Sequence, residues 1–105
     1  MPRICRDLTQ GNQVNKGEVN HELKIDLERM LEIKAGTKTH EVRVFDRNYQ
    51  VGDVLLLRAF DRATNTFKDH GAVVHCVLVT VTNITSPGSY GLPANLGVMS
   101  ISLIG

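Results

Sequence analysis

Tryptophan is absent and aromatic residues make up only 5% of the chain, the whole set being Phe45, Tyr49, Phe60, Phe67 and Tyr90. That scarcity excludes an extended stacking platform for coating single strands and leaves room for one stacked base. Cysteine occurs only as Cys5 and Cys76, far apart and without a paired spacing, so structural-zinc and redox CxxC patterns are missing. Cys76, set among Val and Leu, is expected to be a buried and inert thiol, and a Cys5–Cys76 disulfide is left open. Long apolar runs are missing too: Val54-Leu55-Leu56-Leu57 is typical of the longest, a fraction of the ~20 residues a spanning helix takes. No apolar leader opens the chain, and neither a Walker loop nor a dinucleotide fingerprint occurs in it. The expectation is an intracellular, cytoplasmic protein with no membrane partner, no metal and no cofactor.

Charge is unevenly placed. Twelve Lys and Arg stand against eleven Asp and Glu, a net of +1, so any polyanion-binding footprint must be local. From Gly71 to Gly105 there is no Lys, Arg, Asp or Glu at all. That segment holds the Gly- and Pro-rich stretch Ser86 to Gly97, which is either a plain surface connection or a ligand- or subunit-facing loop with Tyr90 as its aromatic contact.

What is present suits one small globular domain of 105 residues, 42% hydrophobic and 22% charged. Residues 1–19 lack any apolar period and are expected to form a flexible arm, leaving 20–105 as the domain. His21, Leu23 and Ile25 alternate with Glu22 and Lys24 as a half-buried strand does. Asp26 has the position of a helix cap, Leu27, Met30, Leu31 and Lys34 share a helical stripe, and Gly36 supplies a left-handed stop. His40-Glu41-Val42-Arg43-Val44 alternates again, with valines on one face and charges on the other. Val54 to Phe60 and Ala72 to Thr82 are dense enough to be strands buried on both faces, the second the most central, and Val98 to Leu103 closes the chain. One helix and a curled sheet predict an α+β, barrel-like domain.

Lys34, Lys38, Arg43 and Arg47 fall within fourteen residues that also hold Glu41 and Asp46. Two readings fit this window. It is a solvated face with a Glu41–Arg43 pair, worth at most about 1 kcal/mol if exposed, or Lys38 and Arg43 bind a phosphate or a base edge. Glu41 then orders its cationic neighbours, accepts hydrogen bonds from a base, or acts as a general base. His21 and His75 lie on apolar faces, where a satisfied core histidine is the commoner role, and His40, sharing a face with Val42, is read the same way.

The run Gly36-Thr37-Lys38-Thr39-His40-Glu41-Val42-Arg43, followed by Val51-Gly52-Asp53-Val54-Leu55, resembles the ASCH superfamily of PUA-like domains. Its signature is a Gly-x-Lys-Thr-x-x-x-Arg strand and then a hydrophobic-Gly-Asp turn. His21-Glu22-Leu23-Lys24, Asp46-Arg47-Asn48 and Gly91-Leu92 through Gly97-Val98-Met99-Ser100-Ile101 look like an uncharacterised bacterial and phage branch of it. The likeness spans about residues 21 to 103. It implies a small PUA-like β-barrel with one main helix packed beside it and a basic cleft for a short RNA feature or a modified nucleotide. The ligand-facing residues it suggests are Lys38, Glu41, Arg43, Arg47, Tyr90, His21 and Lys24. Some relatives are amidohydrolases acting on acetylated cytidine, with a Lys-x-x-Thr-x-Arg motif and a later glutamate. Here Glu41 occupies the threonine position and no glutamate follows it, so an enzyme with Lys38 and Glu41 as catalytic groups is the alternative. A phage or bacterial accessory protein docking a protein partner through its uncharged last third is another.

Overall fold

The computed structural model describes residues 19–67 and 75–104. The expected arm, Val19 apart, lies outside the described residues, as do Cys5 and the start of the strand expected from Ala72.

Strand β1 (His21–Ile25) buries Leu23 and Ile25 and exposes Lys24 between them, as two-residue alternation dictates. Helix α1 (Leu27–Ala35) follows, with Asp26 at its N-cap in an extended conformation. The Asp26 carboxylate caps no backbone N–H; it accepts from Arg29 Nη1 at 2.8 Å. The carboxylate is turned to the guanidinium, an ion pair with both partners charged, which corrects the side-chain capping role while leaving the helix start where it was expected. The stripe is also rotated: Met30 and Ile33 are buried, and Leu31 is half exposed. Gly36 ends the helix at φ 84°, and the N–H groups of Gly36, Thr37 and Lys38 fold back onto the Ile33 and Glu32 carbonyls. The backbone of Lys38 is thereby tied to the helix end.

The remaining strands are β2 (His40–Val44), β3 (Val54–Asp61), β4 (Thr66–Phe67), β5 (Cys76–Thr85) and β6 (Leu96–Leu103). Their order in the sheet is β1-β3-β5-β6-β2, with β4 added to β3. β1 runs parallel to β3, the crossover between them carrying α1 and β2, and the other pairings are antiparallel. β5 is the central strand, as its sequence predicted. Leu55 and Leu57 of β3, Leu78, Val79 and Val81 of β5, and Met99 of β6 are fully buried with Met30 and Ile33. Cys76 is fully buried as expected, but it is disulfide-bonded rather than a free thiol.

A register shift between Val81 and Asn83 bulges β5 against β6. Bulges bend a strand and increase its twist. The sheet curls into a half-barrel, and its two end strands, β1 and β2, come back toward each other.

β2 inverts the usual polarity. Glu41 is 4% exposed, while Val42 and Val44 are 45% and 47% exposed. The alternation is therefore as expected, but the charged face points inward. His40 shares the outward face and is exposed, which corrects its reading as a core histidine.

Candidate functional site: a cationic cleft at the open seam of the sheet

Between the β1 and β2 ends lies a cleft of about 370 Å³. Lys24 and Ile25 of β1, Asp26 and Arg29 at the start of α1, Lys38 after it, Glu41, Val42 and Arg43 of β2, and Arg62 of the β3–β4 turn line it. Five cationic side chains face two carboxylates, a net of +3.

Glu41 and Arg43 form one wall. Their inward orientation follows from β2 pairing with β6, where Glu41 opposes the buried Met99 and Arg43 opposes Gly97. Arg43 Nε donates to Glu41 Oε2 at 2.8 Å, with side-chain exposures of 20% and 6%. The pair exists as the exposed-strand reading supposed, yet its carboxylate is buried and its guanidinium only partly exposed. Arg43 Nη2 also donates to the main-chain carbonyl of Lys24 at 2.5 Å. One guanidinium thus joins the two ends of the sheet, using the fork geometry that lysine lacks. Glu41 Oε1 makes no hydrogen bond among the described residues, and it is not sealed from the surface. Glu41 is among the residues that line the cleft.

The cationic groups fall into two sets. Arg29 at 2.8 Å and Arg62 at 3.6 Å share the single Asp26 carboxylate. Lys24 and Lys38 have no carboxylate within ion-pair distance among the described residues. Lys24 Nζ instead lies 4.3 Å from the centroid of Phe60, a cation–π contact that holds the ammonium without neutralising it. Two uncompensated ammonium groups and an open carboxylate oxygen suit a ligand with both an anionic group and an N–H or O–H donor.

Of the residues singled out from sequence, Lys24, Lys38, Glu41 and Arg43 meet at this cleft. The other three lie off its walls. Arg47 is half exposed, 3.6 Å from Asp46. Tyr90, 95% exposed, sits in the 3₁₀ turn Ser89–Gly91 between β5 and β6. His21 Nε2 bonds Asp53 Oδ2 at 2.9 Å and meets the Tyr49 ring edge-on, 4.7 Å away. Tyr49 continues edge-on to Phe45 at 5.0 Å, and burial is the main cause that raises its pKa, the nearby Arg47 and Arg43 opposing it. His21 is thus a satisfied, partly buried histidine. Asp26, Arg29 and Arg62 are additions. The Asp26–Arg29 spacing of three is legible on a helix, whereas nothing local marks Arg62.

An α+β half-barrel, with one α-helix among the described residues and a basic cleft at its seam, is the class that fold and site define. The chain belongs to the family described as Domain of unknown function (DUF3850), whose model matches residues 20–101. No curated protein matches it. Among the described residues no helix is long and apolar enough to cross a membrane, and no group of three His, Cys, Asp or Glu side chains is placed to hold a metal ion.

Proposed function

We propose that this protein is an RNA- or nucleotide-binding module of the PUA-like, ASCH type, taking a modified nucleotide or a short RNA feature into the seam cleft. The observation that carries the reading is the inward-facing Glu41–Arg43 pair beside Lys24 and Lys38, which have no carboxylate partner among the described residues. Burying charges while exposing two valines opposes stability, since desolvation offsets most of an ion pair's attraction. Such local violations concentrate at functional sites. Lys24 and Lys38 serve the phosphate, Arg43 stiffens the wall, and Glu41 Oε1 accepts from a base or sugar donor. A volume near the lower end of the range for small-ligand sites favours one nucleotide over an extended strand.

The test is an amide NMR titration with a nucleoside monophosphate, the matching nucleoside and a short mixed-sequence RNA, at low and physiological salt. Saturable shifts at Lys24 and at Lys38 to Arg43, larger for the phosphate and weakened in Lys38→Ala, are the expected result. Silence with all three ligands overturns the reading. The amidohydrolase alternative is favoured by one observation, that Lys38 and Glu41 line the same cleft. It requires turnover of acetylated cytidine that disappears in Lys38→Ala.

A further inference from the structure

Lys38 lines two cavities. Beside the cleft, a second one of about 170 Å³ is bounded by Ile33, Gly36, Lys38, Thr39, Val79, Ile101, Ser102 and Leu103. Its wall chemistry is opposite to that of the cleft: Ile33, Val79, Ile101 and Leu103 provide the apolar surface, and Lys38 is the one ionisable group among the described residues that line it. The segment Thr37-Lys38-Thr39, held at one end by the α1 carbonyls and at the other by Ile101 N–H to Thr39 O at 2.9 Å, runs between the two spaces. A lysine has an apolar four-carbon stem and a charged tip, so one side chain can wall both an apolar and an anionic site. Sealed apolar cavities of roughly 150 Å³ take up benzene; this space has a comparable volume but is open on one side, a size for one partly enclosed ring or branched alkyl group.

We propose that this cavity seats a ring-sized apolar group of the same phosphate-bearing ligand whose anion occupies the cleft, with Lys38 between the two parts. The inference rests on the anion-binding reading above and narrows its ligand class to amphipathic phosphate esters. The occupant follows from Lys38 itself. Its ammonium has no carboxylate partner among the described residues and calls for an anion, while the apolar walls on its other side exclude a second charge.

The experiment titrates the full chain with methyl phosphate and with phenyl phosphate, following amide shifts. Phenyl phosphate is expected to bind at least tenfold more tightly and to move Thr39, Ile101 and Leu103 as well as Lys38. In Thr39→Phe, at a position that shares the Glu41 face and lies opposite Ile101, the ratio of the two affinities is expected to fall to near one; Leu103→Phe, on the Ile101 face, serves the same purpose if the first variant does not fold. Equal affinities in the native chain, or a preference that survives both filling variants, would overturn the inference alone. Failure of both esters to move Lys38 overturns the anion-binding reading and the inference with it.

Discussion

Arg43 Nη2 donates to the carbonyl oxygen of Lys24, joining β2 to β1 although these strands stand at opposite ends of the hydrogen-bonded sheet order. This single guanidinium does three things at once: it neutralises Glu41, satisfies an edge carbonyl of β1 and forms a wall of the cleft. Covering an exposed edge group also removes a site at which foreign strands pair.

Arg43→Ala is expected to cost about 3 kcal/mol, because it leaves Glu41 charged, buried and unpaired. The double variant Arg43→Met with Glu41→Met is expected to lie much closer to the native protein, since two apolar groups of similar volume leave no orphan charge. Urea unfolding of the three proteins checks both values. A double variant as unstable as Arg43→Ala would show that the Lys24 carbonyl, rather than Glu41, is what Arg43 must satisfy. For the same reason Lys38→Ala, and not Arg43→Ala, is the clean probe of ligand binding.

The inverted polarity of β2 predicts an unusual pattern of tolerance. Val42→Thr and Val44→Thr change exposed positions and are expected to fall within about 0.5 kcal/mol of the native stability. Circular dichroism melts of the two variants measure this. A loss of 2 kcal/mol or more, roughly the core-truncation range, would place the valines inside.

Asp26 holds down the cationic strength of the cleft by sharing its carboxylate between Arg29 and Arg62. Asp26→Asn is therefore expected to tighten phosphate binding by about two- to fivefold at low salt, the scale of a solvent-exposed pair. The gain should shrink as salt is added. Titration of a nucleoside monophosphate at two ionic strengths reads it directly, and unchanged or weaker binding would contradict the electrostatic account.

Gly97 is required by a neighbour rather than by its own backbone. A Cβ at this position would come within 2.7 Å of the Phe45 ring, so Gly97→Ala is expected to destabilise by about 1–3 kcal/mol. Adding Phe45→Leu should recover part of the loss while itself weakening the contact with Tyr49. Thermal unfolding of the single and double variants separates the two effects.

Tyr49 gives a stability signature at alkaline pH. Burial favours its neutral form, so its pKa lies above the ordinary value of 10.0. The native state then binds this proton more tightly than the unfolded state, and the stabilisation is fully present below pH 10 and lost as pH rises through the native value. Tyr49→Phe is expected to flatten the alkaline decline without reversing it. Denaturation midpoints from pH 8 to 11 test this, and parallel curves for both proteins would exclude Tyr49 as a contributor.

Much of the strand and helix order was legible locally. His21 to Ile25, His40 to Val44 and Val54 onward announce themselves by alternation or apolar density, and Gly36 marks the helix end through its freedom at positive φ. Lys38, Glu41 and Arg43 stood out because charges recurred on one face of a short strand. The error lay in direction. Periodicity separates the two faces of a strand, but hydrophobicity assigned the wrong one of β2 to the interior. Arg62 shows a further limit, since a turn arginine carries no local mark of the carboxylate it will reach.

The sequence by itself determined where the backbone can be helical or extended, which side chains share a face, and that positive charge gathers around the α1–β2 connection. These properties depend on residues within one or two turns of one another. Only the tertiary structure decided that β2 closes toward β1, that its charges face inward, and that Lys38 borders both the cationic cleft and an apolar space. Those outcomes arise from the β5 bulge, the β2–β6 register and the Arg43–Lys24 bond, which act between segments far apart in the chain. Short-range preference is written in each segment, whereas the direction a face points is set by the curl of a whole sheet.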